Sequence, residues 1–380
     1  MTERRINISE PVTGEAEWQA IKEPIETGWL TQGPKVAAFE KGFADFHGAQ
    51  HGIATTSCTT ALHLILHALE IGPGDEVLVP AFSWVASANV VLYCGATPVF
   101  VDIDLQTYNI DPTKIQAKLS PKTKAIVVVH LFGLCADMDA IRDALPSQVK
   151  IVEDAACAAG AKYKDAYAGT LGDASAFSFH PRKTITTGEG GMVLTNDPDL
   201  AEIMQKLRNH GAEISEEQRH HGPKPYLLPD FNMMGFNYRM TDLQGAVGLS
   251  QLGKLKGFIN ERQQAAQNYR QALAEIPWLK MPVVPDACTP AWQAFVTWVD
   301  PKTAPLPRNE IMDVLQSKGI ATRPGTHAIH MLSYFTQAMQ LSPADYPVAM
   351  FCNDQTMAIP LHNKMTADDY QYVIDALKAL

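Results

Sequence analysis

Lys183 is the residue in this chain best placed for covalent chemistry. It lies in Ser178-Phe179-His180-Pro181-Arg182-Lys183, which runs on into Thr186-Thr187-Gly188-Glu189-Gly190-Gly191. The apolar residues 174–179 predict a short buried strand, and those after the lysine are small, hydroxylated or glycine. A lysine between such segments is poorly placed to be a solvated surface charge. Burial strips water from an ammonium, lowers its pKa and leaves a nucleophilic amine. Such an amine forms a Schiff base with an aldehyde cofactor. A purely structural lysine fits the same residues, and Asp154 is what favours chemistry. It closes the apolar run at 149–154, twenty-nine residues before Lys183, about one strand–loop–strand passage. Open α/β sheets bind ligands at the carboxyl ends of their strands. A carboxylate near a Schiff-base lysine suits pyridoxal 5'-phosphate (PLP), because it keeps the pyridine nitrogen protonated and the ring able to accept electrons.

The surrounding elements must bring these groups together. Residues 14–28 predict an amphipathic helix, broken by the turn Gly28-Trp29-Leu30-Thr31-Gln32-Gly33-Pro34, with helical spacing resumed over 35–46. Residues 53–62 read as a strand running into a mostly buried helix. Ser57, Cys58, Thr59 and Thr60 open that helix, where free backbone N–H groups and the helix dipole make an anion site. An ordinary Ser/Thr N-cap is the alternative. Residues 76–80 are a buried strand followed by Trp84, for which core packing is sufficient. Further strands are expected at 97–101, 125–130 and 149–153. Strands alternating with helices predict a mainly parallel sheet with right-handed crossovers. No G-x-G-x-x-G follows the first strands, which argues against a nicotinamide dinucleotide site.

Residues 199–210 predict a helix, and a polar loop containing His220 and His221 follows. No carboxylate or cysteine shares a ligand-like spacing with that pair, so a solvated loop is expected there and no metal site. Thr241-x-x-Gln244 has the form of a capping box. Apolar residues at 243, 246, 247, 249, 252, 255 and 259 extend it into one long helix linking two domains. From about 260 the pattern becomes a smaller α+β unit, with a strand at 294–299, a helix at 308–318 and a loop at 322–330. The expected division is 1–255 and 256–380.

The chain has 380 residues, a formal charge of −10 and a pI near 5.6. No basic tract stands out, which argues against nucleic acid as a partner. An acidic protein that binds a phosphorylated ligand must concentrate positive charge locally. The six cysteines include no C-x-x-C pair. The most apolar run, 125–136, is too short to span a bilayer, and the N-terminus lacks the apolar core of a signal peptide. A reduced, cytoplasmic protein that does not engage a membrane is expected.

Glu153-Asp154-Ala155-Ala156, the Lys183 segment and Gly235-Phe236-Asn237-Tyr238-Arg239-Met240-Thr241-Asp242-Leu243-Gln244 together resemble the DegT-like family of PLP-dependent nucleotide-sugar aminotransferases. The likeness extends from about residue 29 to 361. It implies an aspartate-aminotransferase-like (type I PLP) α/β fold, a mainly parallel central sheet with a smaller α+β C-terminal domain. It also implies a cofactor cycling between PLP and its amine form, PMP. Lys183 and Asp154 are then catalytic. Ser57, Cys58, Thr59 and Ser178 anchor the phosphate, and Trp84 stacks on the pyridine. Asn237 reaches the phosphate of a neighbouring subunit, so a homodimer with shared active sites is implied. His180, Arg239, Arg323, His327 and His330 are candidates for substrate contact. The implied reaction moves an amino group, from L-glutamate by resemblance, onto a keto-sugar nucleotide of the 4-keto-6-deoxy type. A cyclitol (inosose) aminotransferase, a sugar dehydratase and a non-catalytic PLP-binding regulator are the alternatives. The dehydratase relatives carry histidine where this chain has Lys183. Two positions depart from the family pattern. Cys58 replaces a glycine in the phosphate turn, and Cys157 replaces a glutamine that neighbours the cofactor's phenolic oxygen.

Overall fold

The computed structural model describes residues 4–214, 220, 222–224 and 226–380. Seven strands form the main sheet: β1 (His51–Thr55), β2 (Glu76–Pro80), β3 (Thr97–Val101), β4 (Thr123–Val129), β5 (Lys150–Asp154), β6 (Ala174–Ser178) and β7 (Gly191–Thr195). Their spatial order is β1-β7-β6-β5-β4-β2-β3. The pairs from β6 to β3 are parallel, and β7 is antiparallel to both its neighbours.

These strands are near-continuous apolar runs because both faces of the sheet are covered. Val77, Val79, Val127, Val129 and Val152 point into one core with the helix Cys58–Ala68. Leu78, Ile126, Val128, Ile151 and Phe177 point into the other with the helix Pro34–His47. The two-residue period of a strand divides each run between the faces.

The strand directions decide where the chemistry gathers. Because β7 alone is reversed, β1, β2, β5 and β6 all run the same way. Their carboxyl ends lie along one edge of the sheet. The turn at Ser57 follows β1, Trp84 follows β2, Asp154 ends β5 and the Lys183 loop follows β6.

A second, three-stranded antiparallel sheet joins Leu279–Lys280, Phe295–Val299 and Thr356–Ile359. Its core includes Tyr269, Phe295, Ile311, Leu315, Val373 and Leu377. Ile6 also packs there and pairs with Ile320, so the start of the chain lies on this smaller unit. A short two-stranded pairing, His327–Ala328 with Phe82–Ser83, ties the loop after Arg323 to the segment before Trp84.

Several elements differ from expectation in extent. The 14–28 helix is two short ones, Glu15–Ala20 and Lys22–Thr27. The long helix after Thr241 is also two, Asp242–Leu252 and Leu255–Ala272, separated at Gly253-Lys254. Glycine has low helix propensity, which suits the break. The expected capping box is present: Thr241 Oγ1 accepts from the N–H of Gln244, and Gln244 Oε1 accepts from the N–H of Thr241. Trp29 Nε1 donates to Gln32 O at 3.1 Å, so that turn is packed on itself. Of the expected metal-free histidine loop, His221 falls outside the described residues. No helix among the described residues is long and apolar enough to cross a membrane.

Candidate active site

A cavity of about 300 Å³ opens along the carboxyl edge of the sheet and is lined by Lys183, Asp154, Trp84, Ser178 and Cys58 among others. Ser57, Thr59, His180 and Arg323 also border it. A second cavity, beside Arg308 on the smaller unit, is larger at about 420 Å³. The Arg308 guanidinium there is committed to the carbonyls of Thr356 and Asn353, and no comparable set of reactive groups converges on it.

Asp154 is almost fully buried at the last position of β5. Its Oδ2 accepts from Ser87 Oγ at 2.7 Å, and its Oδ1 accepts from the Ala156 N–H at 3.2 Å. The Cys58 thiol contributes a longer contact to Oδ1 at 3.9 Å. Burial, then the charge of Asp154, pushes the Cys58 thiol well above the ordinary range, so it is a neutral donor at neutral pH. Glu153 points the opposite way, as strand alternation requires. It accepts from the N–H groups of Gly169, Leu171 and Gly172 and bonds His130, which makes it a structural pin rather than a reactive acid.

The loop holding Lys183 is shaped by its hydroxyls and glycines. Thr186 Oγ1 donates to Phe179 O at 2.7 Å and accepts from the Gly188 N–H at 2.9 Å. Gly188 has a φ of +85°, a conformation that favours glycine. The Lys183 N–H donates to His180 O at 2.8 Å. Lys183 Nζ donates to the Sγ of Cys157 at 3.2 Å. The expected lowering of the lysine pKa is corrected here. Burial pulls it down, but the Cys157 sulfur, Cys58 and Asp154 together outweigh burial and hold it above the ordinary value.

The turn at 57–60 is both a cap and an open helix end. Ser57 Oγ accepts from the Thr60 N–H, and Ser57 O accepts from the Ala61 N–H. The N–H groups of Cys58 and Thr59, the first two residues of an eleven-residue helix, are left for an anion. Gly191 makes this arrangement possible. A Cβ there would lie 2.4 Å from the backbone C and O of Ser57. Cys58 in place of a glycine does not block the turn, since its side chain is directed toward Asp154.

Trp84 is 60% exposed at the cavity and lies near His327, with ring centroids 5.6 Å apart. Core packing therefore does not account for it. These residues fit PLP: two open N–H groups for a phosphate, a buried carboxylate for a ring nitrogen, a flat aromatic face and an amine.

Four expected residues do not border the cavity. His330 is fully buried, its Nε2 bonded to Pro343 O and its ring against Tyr346, so it is corrected to a structural role. His327 borders Trp84 rather than the cavity itself. Arg239 donates to Asn209 Oδ1, and Asn237 pairs through its backbone with Asn209 on an exposed segment. Sequence reasoning missed Ser87, Arg182 and Gln293. Ser87 lies three residues beyond Trp84, at the start of the helix Ala86–Tyr93, but nothing in its local pattern points to Asp154.

Residues 11–378 match the profile of the DegT/DnrJ/EryC1/StrS aminotransferase family. The chain is 40% identical over 370 residues to the spore coat polysaccharide biosynthesis protein SpsC of Bacillus subtilis, covering 97% of this chain and 95% of that one. It is similar in structure to Spr1654 of Streptococcus pneumoniae in its PLP form, with a TM-score of 0.91, 27% identity and coverage of 99% and 98%. A PMP form of the same protein gives a TM-score of 0.90 at 28% identity. It also resembles PseC of Helicobacter pylori, an aminotransferase involved in the biosynthesis of pseudoaminic acid, with a TM-score of 0.90, 26% identity and 99% coverage of each chain. The shared architecture is the type I PLP aminotransferase fold.

Proposed function

The chain belongs to the DegT/DnrJ/EryC1/StrS aminotransferase family, and from that premise we propose that it moves an amino group from L-glutamate to a keto-sugar nucleotide of the 4-keto-6-deoxy type, for amino-sugar biosynthesis. It is a PLP-dependent aminotransferase acting on sugars. The observation that carries the mechanism is the convergence of Lys183 and Asp154 on one cavity that faces the open end of the helix Cys58–Ala68.

PLP, when bound, supplies an aldehyde for amino groups and a ring that accepts electrons. Lys183 Nζ would hold the group by its aldehyde carbon. Its free amine would take the proton from the donor's α-carbon and return it one position away, serving as base and then acid. Asp154 keeps a proton on the pyridine nitrogen, with Ser87 and the Ala156 N–H fixing its two oxygens. The N–H groups of Cys58 and Thr59, with Ser57 and Ser178, bind the phosphate. Trp84 offers its ring face for stacking, worth about 0.5–1.5 kcal/mol beyond burial.

The active unit is a homodimer, and Asn237 serves the partner's phosphate. In support, Asn237 lies away from its own cavity on a stretch that exposes Tyr226, Leu228 and Met234 at 75%, 84% and 69%. The cofactor domain then lies within 1–255, and 256–380 form the smaller domain that borders the substrate and takes in the segment at Ile6. Six free cysteines suit a reduced cytoplasmic setting.

The test is an absorbance spectrum of the PLP-loaded protein before and after L-glutamate, followed by keto-sugar nucleotides and by an inosose. Glutamate should convert the visible band to the near-ultraviolet PMP band, and a keto-sugar nucleotide should reverse the change. Reversal by the inosose alone would refute the sugar-nucleotide acceptor. A band that no amino donor shifts would refute the aminotransferase reading.

A further inference from the structure

Cys157 and Lys183 are two nucleophiles in direct contact, and the proposed amino transfer uses only one of them. Lys183 Nζ donates to Cys157 Sγ at 3.2 Å. Both residues are held by short turns. The Ala158 N–H donates to Ala155 O at 2.9 Å across Cys157, and the Lys183 N–H donates to His180 O at 2.8 Å. Cys157 is half-buried and borders the cavity, so a small molecule that enters there meets its sulfur. Lys183, Arg182 and Arg323 border the same cavity. Cationic, partly exposed surroundings favour the thiolate, which is the form that attacks peroxides. Cys58 is a poorer reactant. Burial, then the charge of Asp154, keeps its thiol protonated, and its Sγ is turned toward Asp154 Oδ1 at 3.9 Å. The glutamine that the resembling family carries in place of Cys157 has no such chemistry.

We propose that Cys157 is a site of reversible oxidation by hydroperoxides, and that its product is a sulfur–nitrogen bond to Lys183 that blocks cofactor loading. The Cys157 thiolate attacks one oxygen of hydrogen peroxide and the O–O bond breaks. The departing hydroxide takes a proton from the Lys183 ammonium and leaves as water. Sulfur is oxidised to a sulfenic acid, and the peroxide is reduced by the same two electrons. This step also frees the amine. Burial pulls the lysine's pKa down, and the charge of Cys157 with its hydrogen bond leads the influences that hold it up. With that charge gone, burial favours the neutral amine. Its lone pair then attacks the sulfenic sulfur. The S–N bond forms, the S–O bond breaks, and the hydroxyl leaves with a proton from the nitrogen as a second water. A thiol reductant reverses the change: one thiol takes the sulfur into a mixed disulfide and releases the amine, and a second returns Cys157 as the thiol. The inference goes beyond the aminotransferase reading and rests on it only for the consequence, that a nitrogen bonded to sulfur is closed to PLP. PLP already held on Lys183 denies the sulfur its partner, so the switch acts on the cofactor-free protein.

The test exposes the full-length protein, stripped of PLP, to hydrogen peroxide and reads intact mass, peptide mass and PLP uptake. Wild type should become lighter by two hydrogens, yield a cross-linked peptide joining Cys157 to Lys183, and keep five of its six cysteines open to alkylation. The bridged fraction should form no visible band with PLP, and dithiothreitol should restore both the mass and the band. Protein loaded with PLP before the peroxide should show no cross-link. Cys157→Gln should lose no hydrogens and should take up PLP equally before and after peroxide. Lys183→Ala has no amine to bridge, so its Cys157 should gain oxygen instead. The same mass loss with fewer than five alkylatable cysteines would overturn the inference, since it marks a disulfide. A stable gain of oxygen at Cys157 in wild type, or peroxide that oxidises other cysteines and leaves Cys157 a thiol, would overturn it too. Reduced wild type that forms no band with PLP would refute the aminotransferase reading, a separate result because the cross-link is scored by mass.

Discussion

Lys183 Nζ and Cys157 Sγ are 3.2 Å apart, a direct amine-to-sulfur hydrogen bond at the floor of the cavity. The thiol stands where the resembling family carries a glutamine, and it helps hold the lysine protonated against the pull of burial. This contact ties the pH behaviour of the reactive amine to one substitutable residue.

The cofactor-free amine attacks an aldehyde only when deprotonated. With its pKa held above the ordinary value of 10.5, the rate of PLP reconstitution should climb with pH through the alkaline range. In Cys157→Ala the raising influence is removed and burial remains, so the whole profile should move to lower pH. Stopped-flow reconstitution across pH measures this directly. An unshifted profile would show that the sulfur does not set the lysine's protonation.

Asp154→Asn should leave PLP able to attach while slowing turnover by about 10²–10³-fold, since a neutral amide no longer stabilises a protonated ring nitrogen. Ser87→Ala removes the 2.7 Å bond to Asp154 Oδ2 and should cost about tenfold in rate. The double variant should be no slower than Asp154→Asn alone, because the serine acts only through the carboxylate. Single-turnover rates of the three proteins test this.

Gly191→Ala places a methyl against the Ser57 backbone, where a Cβ would be only 2.4 Å away. The turn must shift, which should destabilise the protein by about 1–3 kcal/mol and weaken PLP binding more than glutamate use by the molecules that remain loaded. Urea titration and a PLP affinity measurement separate the two effects.

His47 is fully buried between Phe43 O, which its Nδ1 reaches at 2.9 Å, and the Gly160 N–H, which donates to its Nε2 at 3.1 Å. Burial lowers its pKa from 6.5 to about 4, so the folded protein holds it neutral. A depressed folded pKa contributes stability that is present above pH 6.5 and lost as pH falls toward 4. The loss from this residue alone is about 3 kcal/mol. His63, His330 and His362 shift in the same direction and add to it. Stability from urea unfolding should therefore decline over that window, and less steeply in His47→Gln.

The proposed sharing of active sites across a homodimer predicts complementation. Lys183→Ala and Asn237→Ala should each be strongly impaired as homodimers. Subunit exchange between them should restore activity, because a mixed dimer retains one site with both residues. An equilibrated mixture as inactive as its parents would refute the contribution of Asn237 across the interface.

Chain order alone singled out Lys183, Asp154 and the helix start at 57–59, which the structure brings to one cavity, and the parallel sheet, because each depends on a local pattern. An apolar run ending in an acid, a capped helix after a strand and a glycine-rich turn are all read within a few residues. The capping box at Thr241 and Gln244 was legible for the same reason. What the sequence could not supply was distance between separate segments. Ser87 reaches Asp154 across sixty-seven positions, and Arg323, paired with Ala358 beside the second sheet, comes to border the same cavity as Lys183. The same limit applied to His330, which its histidine-rich loop made a candidate but which packs against Tyr346 instead. It applied again to the lysine's protonation, where burial alone pointed downward and Cys157, Cys58 and Asp154 together reversed the sign. Local patterning fixes what a segment becomes. Packing, which follows from strand order and direction, decides which groups share a cavity and what field each of them feels.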